Sequence, residues 1–134
     1  QNLGRARARG VEGSLAFRRG LADARLVATW LDAVNLDTGG PLLRRPQESA
    51  NLVVFLRPGE WTVGGVVRYV GARTDFGDLP LDAYSTLDLS LARRFGERWE
   101  PFARIENVLD ESYEEAAGFP APGLGFRAGA ALRF

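Results

Sequence analysis

Apolar and polar residues alternate with a period of two along most of the chain. That is the spacing of strands whose two faces meet different surroundings. In residues 5–18, Val11, Gly13, Leu15 and Phe17 fall on one side, and Glu12, Ser14, Ala16 and Arg18 on the other. Residues 47–57 repeat the pattern, with Ala50, Leu52, Val54 and Leu56 opposed to Ser49, Asn51, Val53 and Phe55. The clearest run is 84–95, where Leu87, Leu89, Leu91 and Phe95 alternate with Thr86, Asp88, Ser90 and Arg94, interrupted at Ala92 and Arg93. Residues 25–35, 61–73, 99–107 and 126–134 complete an all-β reading of about seven strands.

The connections alternate in length. Short turns at residues 20–23, 58–60 and 96–98 are interleaved with longer loops at 37–46, 75–82 and 108–125. A soluble meander has no reason to do this. Transmembrane barrels do, with short periplasmic turns and long extracellular loops. Strands of about 9–11 residues also suit a tilted membrane crossing. The longest strictly apolar run, residues 52–56, is far too short for a spanning helix. The pattern thus predicts an antiparallel, up-and-down transmembrane β-barrel segment. Periodicity alone does not say which face is inside, so a soluble barrel remains a rival.

In the last strand Phe126, Ala128, Ala130, Leu132 and Phe134 share one face, while Arg127 and Arg133 lie on the other. An apolar face ending in a terminal Phe resembles the C-terminal signal by which the barrel-assembly machinery recognises outer-membrane barrels. The plainer alternative is a half-buried edge strand, which in a soluble protein is an aggregation hazard. Trp30, Trp61, Tyr69, Tyr84, Trp99, Tyr113 and Phe134 lie mostly near strand ends. Interface girdles and the core of a soluble barrel both explain this.

Composition narrows the chemistry. Apolar (46%) and charged (25%) shares are those of an ordinary globular chain, so composition alone announces no membrane protein. The 17 basic residues, all Arg, balance 17 acidic ones, which disfavours nucleic acid as a partner. Cys, His and Met are absent. No disulfide framework, His-based triad, Cys nucleophile or usual zinc site can be built, and neither enzymatic activity nor a cofactor is expected. Asp110, Glu111, Glu114 and Glu115 cluster in the third long loop, where a solvated acidic segment is expected rather than a calcium or acid–base site. Gly123-Leu124-Gly125 lacks the residues and the following helix of a phosphate loop. Arg5, Arg7 and Arg9 project to one side of their strand, toward lipopolysaccharide phosphates, the lumen or solvent.

Residues 105–114, Ile-Glu-Asn-Val-Leu-Asp-Glu-Ser-Tyr-Glu, are followed by Gly118-Phe119-Pro120-Ala121-Pro122-Gly123 and then by the terminal strand. This order resembles the closing region of TonB-dependent receptors, and within them of the cobalamin branch. Asn107, Leu109, Asp110, Tyr113, Gly118, Pro120 and Gly123 carry the likeness. Ala8-Arg9-Gly10-Val11-Glu12, Leu42-Leu43-Arg44-Arg45-Pro46 and Val67-Arg68-Tyr69-Val70-Gly71 extend it over nearly the whole chain. The resemblance implies part of a 22-stranded barrel in the outer membrane of a Gram-negative cell. It also implies a plug domain and TonB-driven uptake of a scarce nutrient, a cobalamin or an iron siderophore. Outer-membrane lipid, lipopolysaccharide and, through an N-terminal part, the TonB complex are the partners it implies.

The chain starts at Gln1 without Met or signal peptide, and its first residues already read as strand interior. The expectation is that residues 1–134 are the C-terminal part of such a barrel, with the plug and earlier strands elsewhere. Seven strands cannot close a barrel of that size. Two rivals remain: a small stand-alone outer-membrane barrel and a soluble ligand-binding barrel resembling lipocalins. Asp88, Arg104 and Glu106 are expected to face the lumen, so that Leu89→Arg blocks assembly and Asp88→Arg does not.

Overall fold

The computed structural model describes residues 4–134. The strands are β1 (Ala6–Arg19), β2 (Ala22–Asn35), β3 (Glu48–Leu56), β4 (Trp61–Val70), β5 (Arg73–Thr74), β6 (Pro80–Leu81), β7 (Tyr84–Arg93), β8 (Trp99–Glu106), β9 (Glu114–Ala116), β10 (Phe119–Pro120) and β11 (Gly125–Leu132). Seven of them form one antiparallel sheet in the order β1-β2-β3-β4-β7-β8-β11. Each long strand pairs with its sequence neighbours, so the topology is an up-and-down meander. The sheet is open, with β1 and β11 at opposite edges. Among the described residues there is no helix.

The seven long strands match the alternating segments, with shifted ends. β2 begins at Ala22, so the first turn is shorter than the pattern suggested. β1 and β2 each run 14 residues, beyond the length a single crossing needs. The turns are tight because the residue types at the corners permit it. Gly20 and Gly59 take φ of 57° and 62°, a conformation with a steric penalty for any side chain. The four short strands lie inside the two later long loops, where β5 pairs β6 and β9 pairs β10. Period-two patterning cannot show them, since two or three residues hold no repeat.

Register sorts the side chains into two faces. Leu26, Leu52, Val67 and Leu87 are successive partners across β2, β3, β4 and β7. Leu89, Ile105 and Phe126 continue the row across β7, β8 and β11. Val11, Leu15 and Phe17 share this face on β1, and Leu132 shares it on β11. All of these named residues except Leu52 and Leu87 are exposed. A soluble sheet would cover such a surface, because contiguous apolar area in water is unfavourable. The opposite face carries Asn51, Arg68, Thr86, Asp88, Arg104, Glu106 and Arg127. There Asp88 accepts a hydrogen bond from Arg104 at 2.7 Å, and Glu106 pairs with Arg104 at 3.4 Å and Arg127 at 3.0 Å. Asp88, Arg104 and Glu106 thus share the polar face, opposite Leu89 and Ile105.

Candidate functional site

The three long loops leave the sheet at one end, and a single buried carboxylate joins them. Asp75 lies between β5 and β6 and is 2% exposed. Its Oδ1 accepts from Arg44 Nε at 2.5 Å and from the Phe76 N–H at 2.7 Å. Its Oδ2 accepts from Arg44 Nη2 at 3.2 Å and from the Ala117 N–H at 2.7 Å. Arg44 belongs to the β2–β3 loop and Ala117 to the β8–β11 loop. The Arg44 guanidinium, followed by the Ala117 N–H, holds the Asp75 carboxyl well below the usual carboxylate range, against the opposing effect of burial. Arg44 sits at φ 58°, which is costly for a side-chain-bearing residue and is compensated by this bidentate pair. Its guanidinium also lies 5.0 Å from the centroid of the Phe76 ring.

A second cluster fixes the third loop over the polar face. Tyr113 stacks on Tyr84 with ring centroids 4.0 Å apart and planes 20° apart. Arg68 of β4 donates to Tyr113 Oη at 3.4 Å and to Glu115 Oε1 at 3.1 Å. Arg73 donates to the carbonyls of Glu114 and Glu115 at 2.8 and 3.2 Å, with its Nη1 buried and without an acceptor. Beneath Tyr113 a cleft of about 420 Å³ opens on the polar face, bordered by Asn51, Arg68, Thr86, Asp88 and Glu106.

Most of the sequence-derived motif residues converge on this loop. Asn107 is 5% exposed and joins both ends of the loop. Its Oδ1 accepts from the Glu111 N–H at 3.0 Å, and its Nδ2 donates to the carbonyls of Glu111 at 2.9 Å and Pro122 at 3.4 Å. Asp88 anchors it from the sheet by accepting from the Asn107 N–H at 3.0 Å. Asp110 accepts from the Leu124 N–H at 2.8 Å, close beside Gly123. The carbonyl of Tyr113 accepts from the Ala121 N–H at 2.9 Å, and Pro120 pairs with Glu114. Gly118 donates its N–H to Glu114 Oε2 at 2.8 Å. Leu109 is exposed and takes no part in these bonds. The carboxylates of Asp110, Glu114 and Glu115 thus bond within or to the loop, while Asp110 and Glu115 remain exposed and Glu111 contributes only its backbone.

Phe126, Ala128, Ala130, Leu132 and Phe134 lie at the other edge of the molecule, on the apolar face of β11 or just beyond it. Arg5, Arg7 and Arg9 continue the Val11 side of β1 toward the long loops. Arg5 pairs with Asp37 at 3.4 Å and Arg7 with Asp32 at 3.6 Å. The sequence pattern passed over Asp75, Arg73 and Tyr84 as parts of a site. Asp75-Phe76-Gly77-Asp78 has the composition of a solvent-facing turn, and the partners of Asp75 lie 31 and 42 residues away. Arg44 and Arg68 stood in segments with a family resemblance, but with no role attached.

Residues 1–108 match the family described as TonB dependent receptor-like, beta-barrel. The vitamin B12 transporter BtuB of Vibrio cholerae is 33% identical over 129 residues, covering 89% of this chain and 20% of that protein. The transporter of the same name in Vibrio vulnificus is 30% identical over 115 residues, covering 86% of this chain and 19% of its own length. The chain thus spans about a fifth of these relatives. Among solved structures, the copper transporter OprC superposes with a TM-score of 0.84 at 20% identity, covering 96% of this chain and 23% of that one. The ferric-catecholate import receptor Fiu of E. coli superposes at 0.84 with 19% identity, covering 96% of this chain and 21% of its own. At those identities the likeness speaks for the fold, a consecutive segment of a larger barrel. Family match and sheet agree: the chain belongs to the TonB-dependent receptor β-barrel family.

Proposed function

We propose that the chain is the C-terminal part of the barrel of an outer-membrane receptor that takes up a corrinoid by a TonB-dependent route. The observation that carries this reading is the 33% identity to a vitamin B12 transporter over 89% of the chain. The two-faced sheet supports it. The apolar face meets lipid, where a charge at mid-bilayer would cost about 2–4 kcal/mol, and the polar face with its Asp88–Arg104–Glu106–Arg127 chain lines the lumen. The open edges at β1 and β11 are completed by further strands, because backbone groups left unpaired in hydrocarbon are not tolerated. The plug and the TonB-contacting segment belong to the remainder of the receptor.

In this reading the long loops stand on the extracellular side and the short turns in the periplasm. The loops meet the nutrient first, and the Asp75 junction makes them move together. Asn107, Asp110, Tyr113, Gly118, Pro120 and Gly123 hold the last loop in shape, and Leu109 stands beside them. The apolar row from Phe126 to Phe134 is what the assembly machinery reads. No residue does covalent chemistry. The work is binding and release.

The test is uptake of labelled cyanocobalamin by a Gram-negative host lacking its own corrinoid receptor and expressing the full-length protein. Uptake that disappears when TonB is deleted is the expected result. Uptake of a ferric siderophore instead would keep the transport reading and replace the nutrient. Uptake of neither by a correctly assembled protein would overturn it.

A further inference from the structure

Arg93 stands where, among the described residues, no carboxylate pairs with it. It ends β7 on the apolar face, two residues beyond Leu91, and its register partner is Trp61 of β4. Its guanidinium lies 5.0 Å from the Trp61 ring centroid and 4.4 Å from that of Phe95. Among the described residues it forms no ion pair, and its Nε is shielded from solvent without an acceptor. A shielded guanidinium N–H left without an acceptor is costly, and two aromatic faces satisfy the charge but not the donors.

The neighbourhood is open on one side. Pro101 follows in β8 where Arg93 would find its next partner, and the β7–β8 ladder stops at Ala92 and Phe102. Proline cannot donate to a ladder, so pairing is interrupted at this step and resumes only at Phe95 and Trp99. A cleft of about 340 Å³ results, bordered by Trp61, Leu91, Arg93, Phe95, Pro101 and Ala103. It is apolar apart from the guanidinium and lies at the short-turn end of the apolar face. Trp99 is exposed at this end, and so is Phe134.

We propose that Arg93, held against the rings of Trp61 and Phe95, binds the phosphodiester of a glycerophospholipid in the leaflet on the short-turn side. The proposal rests on the reading that the apolar face meets lipid. A guanidinium presents parallel N–H donors matched to two phosphate oxygens, and the two terminal Nη groups, not the shielded Nε, are the donors a phosphate reaches. The aromatic rings fix the fork at headgroup depth, as amphipathic side chains do at membrane interfaces. Leu91 and Ala103 then lie alongside the start of an acyl chain.

Native mass spectrometry of the full-length protein, delipidated in detergent and titrated with phosphatidylglycerol, tests this. The wild type should hold one phospholipid more tightly than the rest, and Arg93→Gln should weaken that step about tenfold. Arg93→Lys, which keeps the charge and is the safer variant for assembly, should weaken it severalfold because the fork is lost. Arg98→Gln, at the same end of the barrel, should change nothing. Equal retention by wild type and both Arg93 variants overturns the site, as does equal loss in Arg98→Gln or equal binding of diacylglycerol, which has no phosphate. A protein that fails to fractionate with the outer membrane overturns the lipid-face reading itself, and the site with it.

Discussion

Arg44 and Asp75, 31 residues apart, close a bidentate ion pair in which both guanidinium donors meet both carboxylate oxygens, at 2.5 and 3.2 Å. The same carboxylate caps Ala117 of a third loop. Loops are ordinarily the mobile, separately variable parts of a barrel. Here one carboxylate serves three of them, so the Asp75 loop cannot leave without the other two losing bonds, and neither of those can leave without losing its bond to Asp75.

Replacing Asp75 therefore should free all three loops at once. In Asp75→Asn the geometry is kept, but the charge goes and an N–H₂ group turns toward other donors. The expected outcome is severalfold faster protease cleavage within residues 36–47, 71–83 and 107–124 on intact cells, with unchanged assembly of the barrel. Faster cleavage in the 71–83 loop alone would mean that the junction does not couple them.

The pH dependence follows from the direction of the Asp75 shift. Its folded value lies below the ordinary one, so its stabilisation is complete above the ordinary carboxylate value of about 3.9. It is lost as pH falls from there through the folded value. The chain has no cysteine, so Gly40→Cys and Leu79→Cys give unique spin-label positions within it. The distance between them should stay narrowly distributed from about pH 8 to about pH 5 and broaden only below about pH 4. Broadening already near neutrality would assign control of the loops to another group.

Adjacent residues on β7 separate the two faces. Leu89→Arg places a charge on the lipid side at a cost of about 2–4 kcal/mol and should abolish the heat-modifiable, assembled band on gels. The sequence pattern alone makes Asp88→Arg its harmless counterpart. The structure narrows that expectation, because Asp88 accepts from Arg104 and from the Asn107 N–H. A second arginine there would face Arg104 and orphan the Asn107 donor. Asp88→Asn is the matched control and should assemble normally. Equal assembly of Leu89→Arg and Asp88→Asn would reverse the faces.

How much could be foreseen follows the range of the interactions. Leu87, Leu89 and Leu91 announce their face locally, since a strand repeats every two residues and the turns alternate audibly in length. Asn107 and Tyr113 stood in a recognisable segment, but their partners did not. Asp75 had no local signal at all: its burial depends on Arg44 and Ala117, which only the folded sheet brings near. Arg93 interrupts the alternation of its own strand, a departure that gains meaning only beside Trp61 and Phe95.

Asn107 combines two demands that can be separated by substitution. Its φ is 50°, where asparagine is tolerated better than other side-chain-bearing residues. Its amide makes three hydrogen bonds to Glu111 and Pro122 from a buried position. Asn107→Gly keeps the backbone conformation and loses the bonds, at about 1–2 kcal/mol. Asn107→Ala loses the bonds and adds about 1 kcal/mol for the left-handed backbone. Asn107→Asp keeps the φ tolerance and the Glu111 N–H bond, but turns an oxygen toward two carbonyls. In thermal unfolding of the assembled receptor the order of stability should be wild type, then Gly, then Ala. If Gly and Ala are equally destabilised, the conformation contributes nothing and the amide alone holds the loop. If Gly matches the wild type, the hydrogen bonds carry no net stability, and the residue is there for its backbone.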